Sequence, residues 1–162
     1  LRNVRRQWVL ISKECIIVDL DGTISDPDWR LYGRDLQSID WNEENQKAHM
    51  DPPYDWCVQM VKMYRDAGYH LIFLTARTGT EEARDVSKKW LDNHVGGQYT
   101  LFMRDVDDHR NDDVVKHDIY YREIFPHFKP LFALDDKPEV INMWRNLGIT
   151  ALHCRDYMLK YK

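Results

Sequence analysis

Cys15-Ile16-Ile17-Val18-Asp19-Leu20-Asp21-Gly22-Thr23 is the stretch on which the fold turns. Four apolar side chains run without a polar interruption and stop at an aspartate. A half-solvated strand alternates polar with apolar residues, whereas an unbroken run fits a strand buried on both faces of a parallel sheet. Two carboxylates then follow, two residues apart, and Gly22 permits the chain to turn tightly beyond them. Comparable runs recur at 69–74, ending at Thr75; at 99–103, ending at Arg104; at 131–134, ending at Asp135; and at 149–152.

Helical patterns lie between these runs. Cys57, Met60, Val61 and Tyr64 form one stripe, closed by Gly68. Ala83, Val86, Trp90 and Leu91 form a second, with Thr80 as its cap and Glu81 and Glu82 in its first turn. Val115, Ile119 and Tyr120 continue to Ile124 and Phe125, and Pro126 stops that helix. In the last, Asp136 is placed to cap, with Pro138 in the first turn and Glu139 three after the cap. Val140, Ile141, Trp144 and Leu147 share its apolar face, and Gly148 ends it. Strands alternating with helices of this length predict βαβ units around a mostly parallel sheet.

The chain of 162 residues fits one domain. Residues 1–12, with Arg2, Arg5 and Arg6, are expected to be a solvated tail, and 13–162 the folded unit. Within it 24–53 breaks the rhythm, being polar, aromatic and too long for an ordinary βα loop. A small cap or lid over the carboxyl edge of the sheet is expected there, with Trp29, Tyr32 and Trp41 as contacts; the plain alternative is an inert surface excursion. The net charge of −4 argues against coating duplex nucleic acid by charge alone. The three cysteines, Cys15, Cys57 and Cys154, lack zinc-ligand spacing and read as buried, reduced thiols. No run approaches the roughly 18 apolar residues of a bilayer span and no signal peptide is recognised, so a cytoplasmic protein without membrane contact is expected. The chain begins at Leu1, as a trimmed product or a piece of something longer would.

The chemistry is expected where the strands end, because ligands of parallel α/β sheets bind outside their carboxyl edge. Asp19, Asp21, Thr75, Arg77, Arg104, Asp135 and Asp136 all fall there. Burying several carboxylates together is costly unless a cation neutralises them, and an all-oxygen set points to Mg²⁺. Asp19 and Asp135 are the expected ligands, with the Asp21 backbone carbonyl, and Asp136 nearby unless it serves only as a cap. A phosphate held by such an ion needs donors on its other side. Thr75 and Lys116 are the first candidates, with Arg77, Arg104 and Arg110 behind them; for each basic residue the plain alternative is solvated surface. His109, His117, His127 and His153 carry no metal-ligand spacing and are assigned no role.

Asp19-Leu20-Asp21-Gly22-Thr23, Leu74-Thr75, Lys116 and Ala133-Leu134-Asp135-Asp136 resemble, in order, the four motifs of the haloacid-dehalogenase-like phosphohydrolases. The segments 75–80, 110–116 and 135–144 narrow the likeness to the 3′-phosphatase domain of phage-type polynucleotide kinase-phosphatases, over about residues 13–157. The resemblance implies a Rossmann-like α/β fold with a small cap insertion. It also implies Mg²⁺-dependent removal of the 3′-phosphate from DNA or RNA ends through an aspartyl-phosphate. Asp19 matches the nucleophile and Asp21 the acid and base; Thr75 and Lys116 match the phosphate holders, and Asp135 and Asp136 the metal carboxylates. Arg77, Arg104 and Arg110 match arginines of substrate contact or loop anchoring. No Gly-Lys-Ser/Thr nucleotide loop occurs, so kinase activity is not expected of this chain; it reads either as an isolated phosphatase domain, with a kinase or ligase domain outside it as partner, or as a stand-alone relative. The competing readings are a mononucleotide or other small-molecule phosphatase on the same fold, and a phosphate-binding domain without catalysis.

Overall fold

The computed structural model describes residues 12–155, so the expected tail at 1–12 falls almost wholly outside the described residues. Five strands, β1 (Lys13–Val18), β2 (His70–Thr78), β3 (Tyr99–Arg104), β4 (Phe128–Asp135) and β5 (Ala151–His153), form one sheet in the order β3-β2-β1-β4-β5. Every pairing is parallel. The expected α/β architecture is therefore present. The fourth strand starts earlier than its apolar run, because Phe128, Lys129 and Pro130 already pair with Lys13, Glu14 and Cys15.

Helices cover both faces: α3 (Asp55–Asp66) and α4 (Glu81–His94) on one, α5 (Asp112–Ile119) and α6 (Pro138–Asn146) on the other. Alternation along β1 explains the division, since successive side chains of a strand point to opposite faces. Ile16 and Val18 pack with Cys57, Val61, Trp90 and Leu91. Cys15 and Ile17 pack with Val115, Ile119, Val140 and Trp144. The unbroken apolar run is the signature of this two-sided burial.

Two expectations about helices need adjustment. The helix from Val115 does run on to Ile124, with Phe125 as its cap, but α5 proper ends at Ile119 and the last turn, Tyr120–Ile124, is wound more widely. Its apolar face continues, with Tyr120 and Ile124 buried, which is why the sequence pattern looks uninterrupted. Asp136 does not cap α6. Lys137 occupies the cap position without a side-chain bond, and the Lys137 N–H donates to Asp135 Oδ1 instead. Thr80 does cap α4, its hydroxyl accepting from the Ala83 N–H at 3.2 Å.

The insert at 24–53 contains α1 (Asp28–Leu31), α2 (Trp41–Lys47) and two single 3₁₀ turns. Its ends are tied side by side: the Asp26 N–H donates to Pro52 O at 2.8 Å and the Tyr54 N–H to Ile24 O at 2.9 Å. Cys15, Cys57 and Cys154 are free thiols, the last only half-buried. Among the described residues, no helix is long and apolar enough to cross a membrane.

Candidate active site

The carboxyl ends of β1, β2 and β4 bring together the residues expected from the sequence. Asp19 follows β1 directly and Asp135 ends β4; because those strands are neighbours, their terminal carboxylates meet. Asp136 joins them, and ligand oxygens of Asp19, Asp135 and Asp136 all lie within 4.8 Å of one another. All three residues are buried.

Lys116 reaches this cluster from α5. Its Nζ donates to Asp19 Oδ1 at 2.7 Å and to Asp135 Oδ2 at 2.6 Å, and the whole residue is only 2% exposed. The solvated-surface alternative for Lys116 is thereby excluded. Burial alone would lower its pKa, but Asp135 and Asp19 outweigh burial and raise it above the ordinary lysine value. The other Asp19 oxygen accepts from the Thr23 hydroxyl at 3.2 Å. Burial pushes Asp19 upward; Lys116 opposes that push and Asp135 adds to it. Asp136 is pushed up by burial and then by Asp19 and Asp135.

Among the described residues, neither carboxylate oxygen of Asp136 has a hydrogen-bond partner, although both are buried. A buried carboxylate without a donor is unfavourable by itself. One cation supplied to three converging carboxylates is a less costly arrangement, and the donor set is all oxygen, as hard divalent cations prefer. The site therefore fits a divalent metal ion.

Asp21 lies differently from the cluster. Its carboxylate takes a two-pronged contact from Arg77, both bonds 2.7 Å, and a third bond from Arg30 Nη2 at 2.9 Å. Burial would raise its pKa, but Arg77 and then Arg30 prevail and hold it at about 2. Arg77 also donates to the Ser87 hydroxyl at 2.9 Å. Thr75 is buried in β2, its hydroxyl accepting from the Arg77 N–H at 3.2 Å. Arg104 donates to the carbonyls of Ala76, Asp108 and Arg110 and to Asp112, bracing the loop after β3. Arg110 is paired with Asp108 and Asp118. All three arginines border the cleft, with their donors engaged by the protein.

Sequence reasoning missed Arg30 and Asp51. Asp51 accepts from Arg30 Nε at 2.8 Å and Nη2 at 2.9 Å, while Arg30 also reaches Asp21. Both sit in the insert, where no motif marks them, and their burial depends on each other. The only sign in the sequence is a charged residue directly before Pro52-Pro53, where the chain must be extended. Lys137 and Asp112 were missed as a pair; they are bonded to each other at the cleft.

The cleft at these groups measures about 360 Å³ and is lined by Asp19, Asp21, Thr75, Lys116 and Asp136 together with residues of the insert.

The comparisons with known proteins agree with this geometry. The family model described as the polynucleotide kinase PNKP phosphatase domain matches residues 13–157. A protein of Autographa californica nuclear polyhedrosis virus, named as a bifunctional polynucleotide kinase/RNA ligase, is 27% identical over 146 residues, covering 88% of this chain and 20% of the relative. A chain in the structure of the Pnkp1/Rnl/Hen1 RNA repair complex superposes with a TM-score of 0.75 at 28% identity, over 89% of this chain and 43% of that one. A chain in a second Pnkp1/Rnl/Hen1 structure gives a TM-score of 0.75 at 26% identity, over 96% and 51%. This chain thus spans between a fifth and about half of the length of these relatives. With the motifs, the sheet order and the clustered aspartates in agreement, the chain belongs to the PNKP phosphatase domain family of haloacid-dehalogenase-type phosphohydrolases.

Proposed function

We propose that the chain removes the 3′-phosphate from DNA or RNA ends by Mg²⁺-dependent hydrolysis through an aspartyl-phosphate on Asp19. The observation that carries the reading is the buried meeting of Asp19, Asp135 and Asp136, with Asp136 unpartnered and Lys116 alongside. Asp19, Asp135 and Asp136 would hold the ion with the Asp21 backbone carbonyl. When bound, it neutralises charge between carboxylate and phosphate.

Asp19 attacks phosphorus as its ionised form, oriented by Lys116 on one oxygen and Thr23 on the other. The bond from phosphorus to the sugar oxygen breaks, and that oxygen takes a proton from Asp21. Asp21 rests ionised on Arg77 and Arg30, so it must take up that proton and loosen from Arg77 before the first step. In the second step the same carboxylate receives a proton from the water that attacks the aspartyl-phosphate, and Asp19 is regenerated. Lys116 and Thr75 donate to the phosphate oxygens in both steps. Uncatalysed phosphate-monoester hydrolysis is slow enough that accelerations up to about 10²¹ are known for such reactions, so charge neutralisation and covalent attack are both needed.

The insert serves as a small cap, a reading supported by Pro27, Arg30, Leu31, Trp41 and Asn45 on the lining of the cleft. The longer relatives, one of them named for kinase and ligase activities, support a phosphatase unit that works beside such a domain.

Turnover of 3′-phospho-DNA, 3′-phospho-RNA, a 5′-phospho-oligonucleotide and mononucleotides, each with Mg²⁺ and with chelator, tests the reading. Release from 3′-ends only with Mg²⁺ is expected, and Asp19→Asn should lower it more than about 10³-fold. Preference for free 5′-mononucleotides would overturn the substrate. Full turnover by Asp19→Asn would overturn the nucleophile.

A further inference from the structure

We infer that the indole of Trp41 seats the base of the terminal nucleotide, the one whose phosphate is removed. The inference rests on the polynucleotide reading above and names how that substrate is held.

The insert exposes three aromatic side chains, Trp29, Tyr32 and Trp41, at 50%, 69% and 43%. The structure separates them. The Trp29 N–H donates to Asp51 Oδ1 at 2.8 Å, an anchoring contact within the insert. Trp41, alone of the three, lines the cleft that holds Asp19, Thr75 and Lys116. The other insert residues on that lining are Pro27, Arg30, Leu31 and Asn45; Arg104, His109 and Arg110 stand among the polar residues that complete the cleft. One cavity therefore joins anion-binding groups, Thr75 and Lys116, with an aromatic ring and the apolar Pro27 and Leu31. A nucleotide has the same division between phosphate and base.

Size and rigidity favour one nucleotide. About 360 Å³ is at the small end of ligand cavities, too little for a duplex end to enter whole. Trp41 begins α2, and its backbone is set by Asp40, whose carboxylate accepts from the Asn42 and Glu43 N–H groups at 2.9 and 3.3 Å. Glu44 of the same helix is held by Arg34, outside it, at 2.5 Å. A ring on a braced helix loses little freedom when a base stacks on it. Stacking is also tolerant of base identity, because every base presents a π-face.

Three substrates test this: an oligonucleotide with an ordinary 3′-phosphorylated nucleotide, the same oligonucleotide ending in an abasic 3′-phosphorylated sugar, and p-nitrophenyl phosphate. Trp41→Leu keeps apolar bulk and removes the aromatic face. Its KM for the base-bearing end should rise roughly tenfold, the worth of one stacked base. The abasic end and p-nitrophenyl phosphate should change less than about twofold, and Trp41→Phe should restore most of the loss. Equal losses on base-bearing and abasic ends, or a wild-type KM in Trp41→Leu, would overturn the seat. The wild-type chain supplies a second test that needs no variant: its KM should be about tenfold lower for the base-bearing end than for the abasic one, and equal values would count against Trp41. Failure of the parent reading looks different, as the wild-type chain would then cleave p-nitrophenyl phosphate and neither oligonucleotide.

Discussion

Gly22 shows how closely this site is built around single atoms. Its φ is +82°, a conformation that residues with a Cβ adopt only with strain. A Cβ there would also stand 2.2 Å from Asp136 Oδ2 and 2.8 Å from its Cγ. Asp136 is itself buried, so it has little room to give way. The turn after the first aspartate pair and the acid from the fourth motif are thus in direct steric register. The need for a turn was legible from glycine following two acids. The approach to Asp136 was not, because it joins segments far apart in the chain. Gly22→Ala should combine left-handed strain of about 1–2 kcal/mol with displacement of Asp136. A lower denaturation midpoint together with loss of Mg²⁺-dependent turnover is expected. Wild-type turnover in Gly22→Ala would mean that the Asp136 position tolerates movement.

Among the elements, the insert holds the most that its sequence did not disclose. A cap over the sheet edge was expected, but not the buried charges within it: Arg30 and Asp51 are 6% and 1% exposed. Asp51 is its anchor: the carboxylate accepts from Trp29 and Arg30, and the backbone carbonyl accepts from Trp90 of α4 at 2.7 Å. Burial is the main influence on the Asp51 carboxyl and raises its pKa, with Arg30 opposing. Polarity along a sequence reports which groups need partners, not whether those partners will be water or each other. The strands and main helices were readable because two-sided burial and a 3.6-residue stripe each leave a pattern. The wide turn at Tyr120–Ile124 leaves nearly the same stripe as a continued helix, so the apolar pattern does not tell the two apart. Asp51→Ala would leave Arg30 buried without its main carboxylate, a change of the kind that costs about 3–5 kcal/mol. Asp51→Asn retains an acceptor for the Trp29 indole and should fall between that variant and the wild type. Urea denaturation midpoints would rank the three; equal midpoints would show that the insert is fastened elsewhere.

For the whole molecule, the order β3-β2-β1-β4-β5 converts positions scattered along the chain into one acidic edge. That convergence was legible from the residues ending each apolar run: Asp19, Asp135 and Asp136 meet, Lys116 joins them, and Thr75 lines the same cleft. The division of labour among the arginines was not, because guanidinium partners are set by three-dimensional neighbours; Arg77 serves Asp21, and Arg104 braces a loop. The same convergence sets a thermodynamic opposition. Asp136 sits beside two other buried carboxylates with no donor of its own among the described residues, so the ion-free fold carries an uncompensated group. A ligand that binds only the folded chain stabilises it by about 2.7 kcal/mol at a hundred times its dissociation constant. The wild-type melting temperature should therefore climb with Mg²⁺. Asp136→Asn should melt higher than wild type in chelator, by the equivalent of about 1 kcal/mol, because it removes like charge from the cluster. It should gain little from Mg²⁺ and lose turnover. The two melting curves, plotted against Mg²⁺ concentration, should cross. If Asp136→Asn melted lower at every concentration, the acid would be a net contributor to the fold, and the opposition between stability and ion binding at this edge would be refuted.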